Sequence, residues 1–327
     1  MTLIKALIKR LLQMIVVLFI ISLLTFTLMK LSPGNPVDKI LHLDVAQVSS
    51  EQIKATEDKL GLNDSIFSQW WHWFNQILHL DLGTSYETNE PVTDAIVNYA
   101  PPTLLISLLT LVLSLIISIP LGVIAAKTYH GKIDKIIRIL TSLSVSLPSF
   151  FIGIMLIYIF NRLLHIDNGL FTQYILPIFT LSLGMCAYMI RLIRSNLLDL
   201  YQSPVVEASR LRGMTERYIL LHDLLKPTLL PIIPLLAISL GSLIGGTVVI
   251  ENLFDIPGLG YLLMDSIKSR DYPVIQGCVL FIGFFVVLIN TLGDIVTIIV
   301  DPKQRLLQRQ VSKTKSSLME SGDQSAL

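Results

Sequence analysis

Residues 206–227, VEASRLRGMTERYILLHDLLKP, gather Glu207, Arg210, Arg212, Glu216, Arg217, His222, Asp223 and Lys226 between two strongly hydrophobic segments. Charged groups at this density either keep a connector in water or meet another protein through ion pairs and hydrogen bonds. Residue sets for bond-breaking chemistry are scarce. No G-x-x-x-x-G-K-[ST] phosphate loop occurs, and HGKI at 130–133 lacks both the first glycine and the hydroxyl, so the chain is not expected to bind or hydrolyse ATP. His-Glu-x-x-His, G-x-S-x-G and paired-cysteine metal patterns are missing as well. The histidines (His42, His72, His79, His130, His165, His222) are scattered over loops and read as isolated solvated side chains. Cys186 and Cys278 lie inside apolar runs, as buried inert thiols do, rather than in a disulfide or zinc pattern. No metal or cofactor site is expected.

The elements that carry these residues are apolar. Of 327 residues 52% are hydrophobic and 15% charged, against roughly a quarter charged in soluble domains, and mean hydropathy is +0.66. Lipid is therefore the expected solvent. A net charge of +1 favours neither nucleic acid nor an acidic substrate. A hydrocarbon core about 30 Å thick needs roughly 20 apolar helical residues. Leu11–Met29, Pro101–Ala126, Ile139–Asn161, Tyr174–Ile190, Pro227–Ile250 and Tyr272–Gly293 meet or approach that length, the last continuing through Ile295–Val300. Pro120 and Pro148 are expected to kink their spans. Lys5, Lys9 and Arg10 precede the first span, but its uncharged run is too long for a signal peptide and no cleavage pattern follows. Asp294 is the one carboxylate inside a span. It stands seven residues before Asp301, about 10 Å of helix rise, and reads as an interface or capping group, with a proton relay as the sharper alternative.

Six spans with an inside N-terminus place eighteen of the 25 Lys and Arg on the cytoplasmic side, which fixes the orientation by the positive-inside rule. The expected fold is thus an all-α membrane protein with six transmembrane helices, both termini cytoplasmic, in the cell membrane. Residues 1–30 form the N-terminus and first span. Residues 31–100, with ten acidic side chains against Lys39, Lys54 and Lys59, form an extracellular loop. In that loop Ser49–Gln52 reads as a capping box for a helix stopping at Gly61. FSQWWHWFNQIL holds all three tryptophans, and its spacing predicts an amphipathic helix at the outer membrane surface, a ligand-stacking box being the alternative. Residues 101–301 form a five-helix core that includes a cytoplasmic loop at 195–226. Residues 302–327 read as a disordered cytoplasmic tail.

The charged stretch has internal order. Ser203 suits an N-cap and Pro204 a first helical position. A short helix runs through Glu207 and Ala208 to Arg212, Gly213 supplies a left-handed turn, and Thr215 caps a return helix entering the membrane near Pro227. Physics alone leaves two readings open: a helix–turn–helix plug for a groove on another protein, or an ordinary connector.

EASRLRG, Glu207–Gly213, resembles the EAA-x-x-x-G motif of binding-protein-dependent ABC importer permeases, with Ser209 replacing the second alanine. Other stretches are similar to the B-type permeases of the dipeptide, oligopeptide and nickel importers: SPGNPV (Ser32–Val37), LGLNDSIFSQWWHWF, LDLGTSYETNEPV, IPLGVIAA (Ile119–Ala126), SLPSFFIGIML (Ser146–Leu156), VVIENLFDIPGLGYLL (Val248–Leu263) and DIVTIIVDPKQR. The resemblance covers about residues 1–305. It implies an ABC type I importer permease fold and a non-enzymatic subunit that forms the path for short peptides or nickel, free or chelated. It also implies a coupling loop, carried by Glu207, Ala208, Ser209 and Gly213, that docks on a cytoplasmic ATPase. The implied partners are a second homologous permease, two ATP-binding subunits, an extracellular solute-binding protein meeting outer loops that include Glu251–Gly260, and membrane lipid. The alternative class is a secondary transporter or channel working without an ATPase. An intramembrane enzyme would need a nucleophile–base pair that the spans do not offer.

Overall fold

The computed structural model describes residues 2–31, 37, 49–59, 63–165, 169 and 171–300. The Gly61 stop, residues 32–36 of the SPGNPV match, DPKQR and the 302–327 tail lie outside them. Among the described residues the chain is built of helices, with one isolated β-bridge between Thr84 and Pro91. Four helices are long and apolar enough to cross a membrane unbroken, and two further pairs pass the same test as bent units. The described residues are thus helical, with four to six segments fit to span a membrane.

α1 (Thr2–Leu31) is followed by α2 (Ser50–Lys59) and α3 (Ile66–Leu78). The capping box forms: the Gln52 amide N–H donates to the Ser49 hydroxyl, and the Ser49 amide to the Gln52 side chain, each at 3.3 Å. α3 lays its apolar face on α1. Trp70 is buried edge-to-face against Phe19 and stacked on Phe74, while Trp73 lies against Phe26. Phe67, Trp71 and Leu78 stay exposed along the edge of that face.

α4 (Val92–Lys127) runs for 36 residues and begins nine residues before the predicted span. Pro101, Pro102 and Pro120 sit inside it without ending it. Burial of Val92, Ile96 and Ala100 against Leu259, Val274 and Cys278 holds its first turns. At about 1.5–3 kcal/mol for each fully buried Val or Ile, this is comparable with the roughly 3 kcal/mol of an interior proline.

The third predicted span is not one kinked helix. α5 (Lys132–Ser146) and α6 (Ser149–Ile157, continued by a π-helical turn to Leu163) meet at 100°. Pro148 lacks an N–H and excludes Leu147 from the helical region, so Leu147 is extended at φ −98°, ψ 133°. α7 (Leu176–Tyr201) extends well past the predicted Ile190 end. The remaining helices are α8 (Pro204–Leu211), α9 (Glu216–Tyr218), α10 (Leu225–Leu229), α11 (Ile232–Gly246), α12 (Val248–Leu253), α13 (Leu259–Ser269) and α14 (Tyr272–Val300). Glu216–Leu229 and Ile232–Gly246 form the second bent pair, at 49° beside Pro231.

Small residues let these helices approach. A face of α4 buries Thr103, Ser107, Thr110, Ser114 and Ser118, and Ser114 and Ser118 meet Cys186 of α7. Where α11 meets α14, a Cβ built on Gly293 would stand 2.1 Å from that of Ala237. Such contact is how membrane helices gain packing without a hydrophobic drive between them.

Candidate functional site

The charged stretch folds as two short helices around a glycine. Ser203 has the extended backbone of an N-cap (φ −76°, ψ 149°) and Pro204 is the first helical residue, but the Ser203 side chain makes no capping hydrogen bond. Val206 and Ser209, three positions apart, share the buried face of α8, while Val205, Glu207, Ala208 and Leu211 lie exposed. Leu211, at 84% exposure, is an apolar tip in water. The helix ends at Arg212, whose amide donates to the Ala208 carbonyl, and Gly213 follows at φ +76°. No atom lies within 4 Å of where a Gly213 Cβ would stand, so backbone conformation rather than space requires glycine there. Thr215 caps the return, its hydroxyl accepting from the Tyr218 amide at 3.3 Å.

A buried apolar cluster holds this turn to the bundle. Val206, Ile219, Leu220 and Leu224 pack with Ala126 of α4, Ile193 and Leu197 of α7, and Ile232 of α11. Any rotation of α8 is therefore felt by the ends of three long elements. The Ser209 hydroxyl donates to the Asp223 carboxylate at 2.7 Å, and Arg212 donates to the same hydroxyl at 3.1 Å. Arg210 and Glu216 pair across the turn at 2.7 Å, but both are more than half exposed, where such a pair is worth about 0–1 kcal/mol. Of the four expected site residues, Glu207 and Ala208 thus belong to the outward face, Ser209 to the anchor and Gly213 to the turn. Sequence reasoning missed Asp223 as the partner of Ser209. The two are fourteen positions apart, and only the reversal at Gly213 joins them.

A second brace stands near this end. Asp134 of α5 is buried and takes two hydrogen bonds from Arg194 of α7, at 2.7 and 2.8 Å. Tyr129 lies under the Arg194 guanidinium at 5.2 Å. The α4–α5 corner is thereby fastened to the helix that leads into α8. Asp294 is also paired: Arg10 of α1 meets it at 2.8 Å, with both side chains part-exposed. The pair ties α1 to α14.

Glu251 is enclosed rather than presented to a partner. It is fully buried. Its carboxylate accepts from the hydroxyls of Thr103 and Thr247, both at 2.7 Å, and from the amides of Gly260 and Tyr261 at 2.7 and 3.2 Å. It joins α4, α12 and the start of α13. Within the Glu251–Gly260 segment only Asp255 and Pro257 are exposed. Among the described residues no group of three His, Cys, Asp or Glu side chains stands close enough to hold a metal ion.

Residues 118–306 match the family described as "Binding-protein-dependent transport system inner membrane component", and residues 3–108 match "Binding-prot-dependent transport system membrane comp, N-term". The chain belongs to this family. It is a transmembrane permease of an ABC importer, a transport subunit whose ATPase is a separate partner. The permease is 70% identical over 328 residues, covering all of both chains, to the "Nickel import system permease protein NikB" of Staphylococcus aureus strain N315. It is 73% identical over 306 residues to the same-named protein of strain MSSA476, covering 94% of this chain and 93% of that one. A chain of the MetNI methionine ABC transporter in an inward-facing conformation shares its fold, with a TM-score of 0.56 and 21% identity, over 64% of this permease and 97% of that chain. The importer-permease fold implied by the EAA-like motif is the one observed.

Proposed function

We propose that this permease conducts nickel, and that Glu207, Ala208, Ser209 and Gly213 form the turn that docks on its ATPase. The nickel assignment is carried by identity of 70% along the full length to proteins named as nickel import permeases. The docking assignment is supported by an exposed helix face tipped by Leu211 and rooted in the cluster shared by α4, α7 and α11. On this reading each bent pair counts as one span, giving six, with both termini and the 195–226 loop cytoplasmic. Residues 31–100 lie outside, 101–301 form the core, and 302–327 are a cytoplasmic tail. The working assembly adds a second homologous permease, two ATP-binding subunits and an extracellular solute-binding protein.

The test is uptake of radioactive nickel by cells deleted for this chain and complemented with it, with a labelled dipeptide as the competing cargo. Restored nickel uptake that requires the ATP-binding subunits is expected. Restored dipeptide uptake without nickel uptake would sink the cargo assignment while leaving the permease intact.

A further inference from the structure

The 100° elbow between α5 and α6 has a depth that its neighbours define. Before the elbow, Asp134 bonds Arg194, and Ile137 packs with Cys186 and Ile190. After it, Gly153 meets Leu253 and Phe254, and Leu156 and Ile157 pack in the cluster of Leu176 and Ile178. The chain therefore climbs α7 from Arg194 towards Leu176. Its elbow lies alongside the stretch between Ile178 and Cys186, the middle of the apolar part of α7. This depth holds whichever end of the molecule faces the cytoplasm.

At that depth the backbone is broken and uncovered. Pro148 cannot donate to the Ser144 carbonyl, and among the described residues no backbone donor reaches the carbonyls of Val145, Ser146 or Leu147. The residues that carry these carbonyls are themselves exposed among the described residues. Ser142, Ser146, Pro148 and Ser149 are exposed, as are Val145, Leu147, Phe150 and Phe151 at 54, 37, 46 and 43%. Hydrocarbon offers unpaired carbonyls no partner, so non-helical backbone at membrane depth persists only against protein or water. A second feature borders the first. Gly184, Tyr188 and Arg191 of α7 form an exposed lane at helical spacing, and nothing lies within 4 Å of where a Gly184 Cβ would stand. Gly184 lies in the Ile178–Cys186 stretch level with the elbow, while Arg191, three positions from Arg194, lies towards the end where α5 begins. The Arg191 guanidinium, whose Nε donates to the Ala187 carbonyl at 3.1 Å, still carries a charge that hydrocarbon disfavours.

We propose that the Ser142–Ser149 elbow and the Gly184–Tyr188–Arg191 lane are this permease's wall of the cargo path. At the elbow, at mid-membrane, water meets hydroxyl and backbone carbonyl oxygens, and a polar solute passes by exchanging hydrogen bonds with them. A broken helix supplies what an unbroken one cannot: main-chain oxygens free of the helix ladder. The inference rests on the chain acting as a path-forming permease and does not depend on which solute is carried.

The experiment uses the whole transporter in membrane vesicles, with Cys186→Ala and Cys278→Ala as background. Single cysteines replace Ser142, Ser146, Ser149 and, as a lipid-facing control, Ile116 of α4, which is 63% exposed. A charged, membrane-impermeant methanethiosulfonate reagent is applied from both sides, at rest and during ATP turnover. Ser→Cys is nearly isosteric, and the three sites are tested separately, so one variant that fails to assemble leaves two. The elbow cysteines are expected to react at least tenfold faster than the Ile116→Cys control, with loss of uptake on modification. Elbow cysteines as slow as the control in both conditions would overturn the proposal, whether lipid or the partner permease covers them. Fast labelling without nickel uptake would count against the nickel assignment alone; nickel uptake with an inert elbow would count against the wall alone.

Discussion

Gly213 and Ser209 do different jobs within one turn, and substitution separates them. With Gly213 at φ +76° in open space, Gly213→Val meets no neighbour but places a β-branched residue in the left-handed region, a strain of about 1–3 kcal/mol. The turn should rearrange, with loss of most uptake and of ATPase co-purification at normal expression. Gly213→Asn, which tolerates that region, should keep both. Equal behaviour of the two variants would show that the conformation is not what matters. Ser209→Ala restores the residue type of the related motif yet strips Asp223 of its hydroxyl donor, costing about 1–3 kcal/mol if the carboxylate is left unsatisfied. A double-mutant cycle with Asp223→Ala, read as thermal stability of the purified complex, should return a coupling of about 0.5–3 kcal/mol. Additive effects would mean that the two side chains do not hold each other.

Among elements, the α11–α14 seam gives the sharpest test of packing. A Gly293 Cβ would overlap Ala237, and overpacking of this kind costs typically about 1–3 kcal/mol. Gly293→Ala should lower the melting temperature of the complex, and adding Ala237→Gly should recover much of the loss, because a methyl is moved across the interface rather than added. Failure of the second substitution to help would mean that the helices already slide apart. The Asp134–Arg194 brace and the Glu251 node belong to the same scale. Each is a buried carboxylate whose donors come from different helices, so each fixes how elements meet rather than what they touch outside.

For the whole molecule, orientation is the property that the fold leaves open. Single cysteines at Asp265 and Arg217, both exposed positions, placed in a chain lacking Cys186 and Cys278, report it directly. The charge bias predicts that an impermeant thiol reagent labels position 265 in intact cells and position 217 only after lysis. The reverse pattern would invert the assignment of the coupling turn. The Arg10–Asp294 pair takes the one intramembrane carboxylate of the sequence reading into a contact between the first and last long helices.

Much of this was legible in residue types. Apolar length marked the spans, since lipid leaves a helix no other way to satisfy its backbone, and Pro204, Gly213 and Thr215 marked the turn through backbone geometry that each residue carries with it. What only the tertiary structure decided involves partners distant in sequence. Pro148 signalled a kink, but whether the chain bends slightly or breaks to 100° depends on what each half packs against, Cys186 and Ile190 of α7 for the first and Leu253 and Phe254 for the second. Glu251 looked like a surface charge in a loop, because neither Thr103, 148 positions away, nor the amides of Gly260 and Tyr261 announce that they will surround it. Local propensity is written residue by residue, whereas the satisfaction of a buried charge is a sum over helices that meet only once the bundle has closed.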